Sequence, residues 1–158
     1  MNITVIKRSG QKEPLHIEKW QAQVAKVCQG IADVSQSMIE IKAQIELHDG
    51  ISTETIDELL LKAMVNLIDE TENPDINNVN YQYVAGRQKV SMLRKEVYGD
   101  YAPCSLLELV KRNVERGFYD SGLLAAYSEE EWTTLNTYID HTRDEDFTYV
   151  AMEQWRGK

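Results

Sequence analysis

The residues best suited to chemistry in this sequence are the cations grouped around its first turn. Lys7 and Arg8 lie just before a Ser-Gly dipeptide at residues 9–10, while Lys12 and Lys19 follow it. Glycine accepts the positive φ of a tight turn, so this segment is typical of a hairpin. In a chain of net charge −9, so many nearby cations suggest a local anion site. On these residues alone, an ordinary solvated basic hairpin is the favoured interpretation.

Short β-prone runs and helical periodicity predict the elements that position these cations. The predicted strands are residues 3–6 and 15–17, on either side of the turn. Three helices are predicted at residues 18–29, 35–47 and 81–98, and another begins at Thr53, the predicted N-cap. Residues 71–80 contain proline and several asparagines, which is typical of a loop.

Apolar spacing predicts which helix faces turn inward. The second helix should pack through Met38, Ile41 and Ile45, which recur along one side. The third carries the clearest apolar stripe: Ile56, Leu59, Leu60, Ala63, Met64 and Leu67. Apolar residues on several sides of the fourth helix predict packing on more than one face.

After a predicted boundary at residues 100–103, the chain remains helical but carries fewer apolar residues. Ser105 and Ser128 are the predicted caps of two further helices, the second with a capping-box pattern. This part of the chain carries more aromatic residues than so short a segment is expected to bury by itself. They predict docking onto something outside this chain.

Composition and motif searches exclude several classes of function. The acidic charge argues against nucleic-acid binding, and no apolar run is long enough to cross a membrane, so a cytoplasmic location is expected. Cys28 and Cys104 are too few for a zinc site or a disulfide framework. No phosphate-loop, dinucleotide-binding, metalloprotease or Cys-x-x-Cys motif occurs, so no catalytic or metal-binding residue is assigned.

The hairpin sequence nevertheless resembles a known regulatory domain. The pattern V-x-K-R-x-G-x-x-E at residues 5–13, followed by a helix opening with lysine, is similar to the start of the ATP-cone of ribonucleotide reductases. The similarity continues at residues 49–53, 81–85 and 93–99. Motifs at residues 127–131, 139–144 and 147–149 resemble the class Ia reductase large subunit beyond its cone.

This resemblance implies a mainly α fold in two parts. Residues 1–99 would form the ATP-cone, in which a small N-terminal β-hairpin or sheet caps a four-helix bundle. Residues 100–158 would form a helical segment leading into the α/β barrel of the catalytic region. The reductase's catalytic cysteines lie beyond the matched residues, so this chain alone is not expected to catalyse the reaction.

The resemblance also implies a nucleotide site, residue by residue. Lys7, Arg8, Lys19 and Lys95 match basic positions that contact or lie near phosphate. Glu13 matches a position that resembles one recognising adenine. A carboxylate there accepts a hydrogen bond from the exocyclic amine, which adenine has at this position and guanine lacks.

The remaining implied contacts surround the base and the ribose. Val5 and Trp20 match apolar walls of the base pocket, and Thr53 matches a hydroxyl at a helix N-terminus. Two positions depart from the pattern. His16 stands in place of a base-contacting Asn, and Asp57 replaces a His near the ribose that helps to distinguish ATP from dATP. We therefore expect adenine-nucleotide binding with altered discrimination.

The implied function is control of ribonucleotide reduction by ATP or dATP, bound with Mg²⁺ as an allosteric effector. The implied partners are the remaining catalytic portion of the large subunit and the radical-generating small subunit. Two alternatives stay open. One is a free-standing adenine-nucleotide sensor, and the other is a degenerate cone that acts only as a helical docking domain.

Overall fold

The computed structural model describes residues 3–69 and 78–157, which divide into two compact units. One comprises Met1–Val90 with Glu145–Lys158, and the other Ser91–Asp144. The strands are β1 (Thr4–Ile6), β2 (Lys12–Pro14) and β3 (Ile51–Ser52). The helices are α1 (Ile17–Cys28), α2 (Gln36–Gln44), α3 (Thr53–Asp69), α4 (Tyr81–Tyr98), α5 (Leu106–Glu115), α6 (Gly122–Ala126), α7 (Glu129–Thr137) and α8 (Tyr149–Arg156). The mainly helical fold with a small sheet is thereby confirmed.

The sheet has the order β2-β1-β3, with β1 antiparallel to β2 and parallel to β3. Gly10 has φ 81°, as the predicted turn requires, and the Lys7 N–H donates to the Gln11 carbonyl at 2.9 Å. This short connection places β2 at Lys12–Pro14, so the prediction of a strand at residues 15–17 was wrong. Pro14 has no N–H to continue the ladder, and α1 begins three residues later.

The core of the first unit lies between helices α1 to α4. Its most deeply buried side chains are Val24, Ile39, Leu60, Met64, Leu67, Val84 and Gln88. Gln88 Oε1 accepts a hydrogen bond from Gln23 Nε2 at 3.1 Å, and Gln88 Nε2 donates one to the Asp57 backbone carbonyl at 3.3 Å. A buried amide that is bonded on both sides thus links α1, α3 and α4.

Helix α2 packs through a different face from the predicted one. Met38, Ile41 and Ile45 are exposed, whereas Ile39 and Ala43 are buried. The helix has apolar residues on two sides, and its contacts with α1 and α3 decide which side is covered. It is also shorter than predicted, ending at Gln44.

Helix α3 begins at Thr53, but the capping hydroxyl belongs to the preceding residue. Ser52 Oγ accepts from the Thr55 N–H at 2.9 Å, so the assignment of Thr53 as the N-cap was wrong by one position. The predicted stripe is buried except for Leu59, and Leu61 is buried beside it. Of the predicted loop, residues 71–77 lie outside the described residues, and Asn78–Asn80 forms a 3₁₀ turn.

Helix α4 has the predicted bounds and ends before Gly99, whose φ is 82°. Its middle lies against the segment that leads into α8. A Cβ on Gly86 would be 2.0 Å from the Phe147 carbonyl oxygen, so the two backbones touch. Arg87 Nε donates to the Glu145 carbonyl at 3.2 Å, and Lys89 forms an ion pair with Glu153. The tail therefore belongs to the same unit as the hairpin.

The second unit is organised by capped helices. Ser105 and Ser128 cap their helices as predicted, and both form a complete capping box, which the sequence predicted only for Ser128. Val110 and Trp132 are buried, while Phe118 and Tyr138 are largely exposed. Among the described residues, no helix is long and apolar enough to span a membrane.

Candidate functional site

The carboxylate of Glu13 is influenced by three other predicted site residues. Lys7 Nζ lies 2.8 Å from Glu13 Oε2. The hydrogen bond from Lys7 lowers the pKa of Glu13, and the charges of Lys7, Lys19 and His16 act in the same direction. Glu13 is therefore ionised at neutral pH and can only accept hydrogen bonds. We call Lys7, Glu13, His16 and Lys19 the Glu13 cluster.

The cluster is assembled by the hairpin and the first turn of α1. Cross-strand pairing sets Glu13 opposite Val5, and Lys7 follows directly after β1. His16 occupies the N-cap position of α1 but makes no side-chain capping bond. Lys19 lies in the first helical turn and is exposed. His16, at the start of α1, thus joins the predicted group of cations.

The electrostatics of this region favour an anion. Lys7, Arg8, Lys12 and Lys19 outnumber the nearby carboxylates of Glu13, Glu18 and Asp49, and the N-terminal end of α1 adds a partial positive charge. Arg8 is exposed in the turn. Cations and helix N–H groups are the groups that offset phosphate charge in proteins. The arrangement therefore fits a phosphorylated ligand.

The predicted apolar walls are both buried. Val5 lies in the central strand and is 2% exposed, and Trp20 on α1 is 8% exposed. The indole Nε1 of Trp20 has no hydrogen-bond partner among the described residues. The indole N–H of Trp20 is thus a buried donor for which the described residues supply no acceptor.

The structure brings the start of α3 to β1 through the parallel pairing of Ile6 with Ser52. Thr53 is partly exposed at this helix start. Asp57, one turn further on, is only 5% exposed, so its side chain lies on the inner side of α3. Contact of either residue with a nucleotide stays a prediction.

Lys95 belongs to the second unit, in the last turn of α4. Its Nζ lies 4.0 Å from the ring centroid of Tyr101, a cation–π geometry. Its assignment to phosphate stays a prediction.

Sequence reasoning missed one residue that shapes the hairpin. Asp49 Oδ1 accepts from the Thr4 N–H at 2.8 Å, which ties the start of β1 to the turn before β3. This bond is the main cause of a lowered pKa at Asp49, with a smaller contribution from Lys12. The Asp-Gly dipeptide, with Gly50 at φ 78°, was the signal that could have identified this turn.

The described residues were also compared with the requirements of a metal site and of a reactive thiol. No group of three His, Cys, Asp or Glu residues in ranges 3–69 and 78–157 could hold a metal ion. Cys28 and Cys104 are free thiols. Burial raises the pKa of Cys28 to about 11, so it is protonated at neutral pH.

Comparison with known proteins confirms the resemblance. The ATP cone domain family matches residues 3–96. Subunit alpha of ribonucleoside-diphosphate reductase 1 from Escherichia coli K12 is 39% identical over 157 residues, covering 99% of this chain and 20% of that protein. The alpha subunits from Haemophilus influenzae and Enterobacteria phage T4 are 37% and 38% identical, again over 99% of this chain and 20% of theirs. The chain spans about a fifth of the length of these relatives and is similar to their N-terminal region. Because the family match covers more than half of its residues, the chain belongs to the ATP cone domain family.

Proposed function

We propose that the Glu13 cluster binds ATP or dATP and that the chain is the regulatory N-terminal portion of a ribonucleoside-diphosphate reductase alpha subunit. The supporting observation is the ion pair of Lys7 with Glu13, whose ionised form is also favoured by the charges of Lys19 and His16. This geometry combines a local excess of positive charge with one ionised acceptor. The family match and the similarity to reductase alpha subunits support the same proposal.

The cations bind the triphosphate. Lys7, Arg8 and Lys19 offset its charge from the hairpin side, and Lys95 adds a further cation. Lys7 has a second function, because its ion pair with Glu13 fixes the direction of the carboxylate. Mg²⁺ binds with the nucleotide through the phosphate oxygens, which is how this ion is usually held at nucleotide sites.

Glu13 selects the base. Its ionised carboxylate accepts from the exocyclic amine of adenine, whereas guanine presents a carbonyl oxygen at the corresponding position and would be repelled. Val5 and Trp20 form the apolar walls, and His16 contacts the base from the N-cap of α1. The pocket thereby favours adenine over guanine nucleotides.

Within the longer protein, nucleotide binding here controls ribonucleotide reduction carried out by the remaining catalytic portion. The chain docks onto that portion and affects its association with the small subunit. The large aromatic residues left exposed support such docking: Phe118, Tyr138 and Trp155. A cone that has lost its ligand would keep these exposed aromatics without binding nucleotide.

Calorimetric titration with ATP, dATP and GTP tests the proposal. We expect both adenine nucleotides to bind with micromolar or tighter affinity and GTP to bind much more weakly. If no nucleotide binds while the chain still associates with the catalytic portion, the docking-only function replaces this proposal.

Asp57 is expected to set the ratio of ATP to dATP affinity. A carboxylate near the ribose repels phosphate and bonds the ribose hydroxyls differently from an imidazole. Asp57→His should therefore change this ratio severalfold in competition titrations. Asp57→Asn, which keeps the volume of this buried side chain, controls for packing because it removes only the charge. An unchanged ratio in both folded variants would refute a role for Asp57.

A further inference from the structure

The indole N–H of Trp20 is a buried donor without a hydrogen bond in the described part of the chain. The side chain is 8% exposed, and Nε1 has no acceptor among the described residues. A buried donor without a partner loses the hydrogen bond that it makes to water in the unfolded chain. Most buried polar groups are satisfied, so this exception needs an explanation.

Most of the other unbonded buried atoms belong to groups that are satisfied elsewhere. Arg94 and Arg112 lack a bond at Nε but donate through their terminal nitrogens, and Glu153 is paired with Lys89. Among the buried side chains of residues 3–69 and 78–157, only the indoles of Trp20 and Trp132 carry a single donor with no hydrogen bond at all. Trp132 lies in the second unit, where its ring and that of Tyr127 form an edge-to-face pair with centroids 5.3 Å apart.

Trp20 differs from Trp132 because it lies beside the Glu13 cluster. It is one residue from Lys19, and its backbone N–H bonds to the His16 carbonyl. Helical side chains lean toward the N-terminus of their helix, so the indole covers the turn that begins at His16. That turn has no side-chain cap and carries the positive end of α1. The unbonded donor therefore belongs to a residue in the same helical turn as Lys19, directly after His16.

We infer that the Trp20 indole N–H donates a hydrogen bond to an acceptor atom on the nucleoside part of the bound adenine nucleotide. This inference rests on the proposed function. Trp20 is then a specificity-determining residue as well as an apolar wall. Adenine presents acceptor nitrogens on its ring and the ribose presents oxygens, and either would complete the bonding of Nε1.

The Trp20→Phe variant tests the inference, because it removes the donor while keeping an aromatic body. We expect its ATP affinity to fall about fivefold to tenfold, the usual value of one neutral hydrogen bond in a buried site. Trp132→Phe is the matched control, since it deletes the same unbonded donor outside the cluster, and its affinity should stay at the wild-type value. Without nucleotide, any loss of stability in Trp20→Phe should come from the cavity that the smaller ring leaves, because the variant loses no hydrogen bond.

Analogues of ATP that lack one ring nitrogen or one ribose hydroxyl identify the acceptor. The analogue missing the bonded atom should bind wild type more weakly but suffer no additional loss with Trp20→Phe. In the wild-type protein, ATP should also shift the Nε1–H resonance that disappears in Trp20→Phe.

The possible failures are distinguishable. If wild type binds ATP, but Trp20→Phe binds equally well and the resonance does not move, the inference is overturned while the proposed function stands. If wild type binds no adenine nucleotide, the proposed function fails and the inference fails with it. If Trp20→Phe does not fold, the wild-type resonance and the analogues decide the question.

Discussion

Replacing Lys19 with Glu is expected to weaken ATP binding by about a hundredfold or more. The substitution changes the local charge by two units in the first turn of α1, where Lys19 lies close enough to lower the pKa of Glu13. Two like charges within a few ångströms repel by roughly 1 to 4 kcal/mol near a protein surface, and each 1.4 kcal/mol is tenfold in affinity. Calorimetric titration measures the change directly.

The matched control is Lys111→Glu on α5, which makes the same change in net charge outside the cluster. Its affinity should remain within about twofold of wild type, because the substitution leaves the charges of the Glu13 cluster unchanged. Raising the salt concentration should weaken wild-type binding more than binding by Lys19→Glu. Equal losses in the two variants would show that overall charge, rather than the Glu13 cluster, governs binding.

Replacing Gly86 with Ala is expected to destabilise the first unit by about 3 kcal/mol, although helix propensity alone predicts a gain of about 1 kcal/mol. The new Cβ would lie 2.0 Å from the Phe147 carbonyl oxygen and 3.0 Å from the Thr148 carbonyl carbon. These are backbone atoms, so no side-chain rotation relieves the overlap. The segment before α8 must move away from α4, and urea unfolding should report the loss.

Gly122→Ala is the control for this variant, because its added Cβ would meet only the Asp120 side chain, which can rotate. We expect a change of about 1 kcal/mol or less there. Hydrogen exchange provides a second measurement. In Gly86→Ala, the amides of α8 should exchange faster than in wild type, whereas those of the hairpin should change little. Unaltered exchange in α8 together with increased stability would contradict the close contact between α4 and Phe147.

The parts of the fold that were predictable from sequence are those with local signals. Helix α4 has the predicted bounds because a long segment of favourable residues ends at Gly99, which takes the positive φ of a helix stop. Ser105 and Ser128 cap their helices as predicted, since capping depends on the residue and its next three neighbours. These interactions need no knowledge of the rest of the chain.

The errors arose where distant residues decide the outcome. Strand β2 contains lysine, glutamate and proline, which have low strand propensity, and pairing with β1 makes it a strand nevertheless. The exposed face of α2 was predicted to be buried because the sequence does not show which side meets α1 and α3.

The candidate site shows the same division. Its cations were visible in the sequence as a local group, but the resemblance was needed to assign Glu13 and Lys19 to the same site. The proximity of Glu13 to Lys7 depends on the cross-strand register, and that of Lys19 and His16 on where α1 starts. The unbonded indole of Trp20 could not be predicted, because an absent partner is visible only once the fold is known.

A ¹⁵N–¹H correlation titration of the wild-type chain with ATP, with GTP in parallel, tests the central claim most directly because it reports both binding and its position. We predict that ATP moves the amide resonances of residues 5–20 and the first turn of α3 the most, and that GTP moves them little at equal concentration. Saturable ATP shifts confined to other residues, or no shifts at millimolar ATP, would contradict an adenine-nucleotide site at the Glu13 cluster.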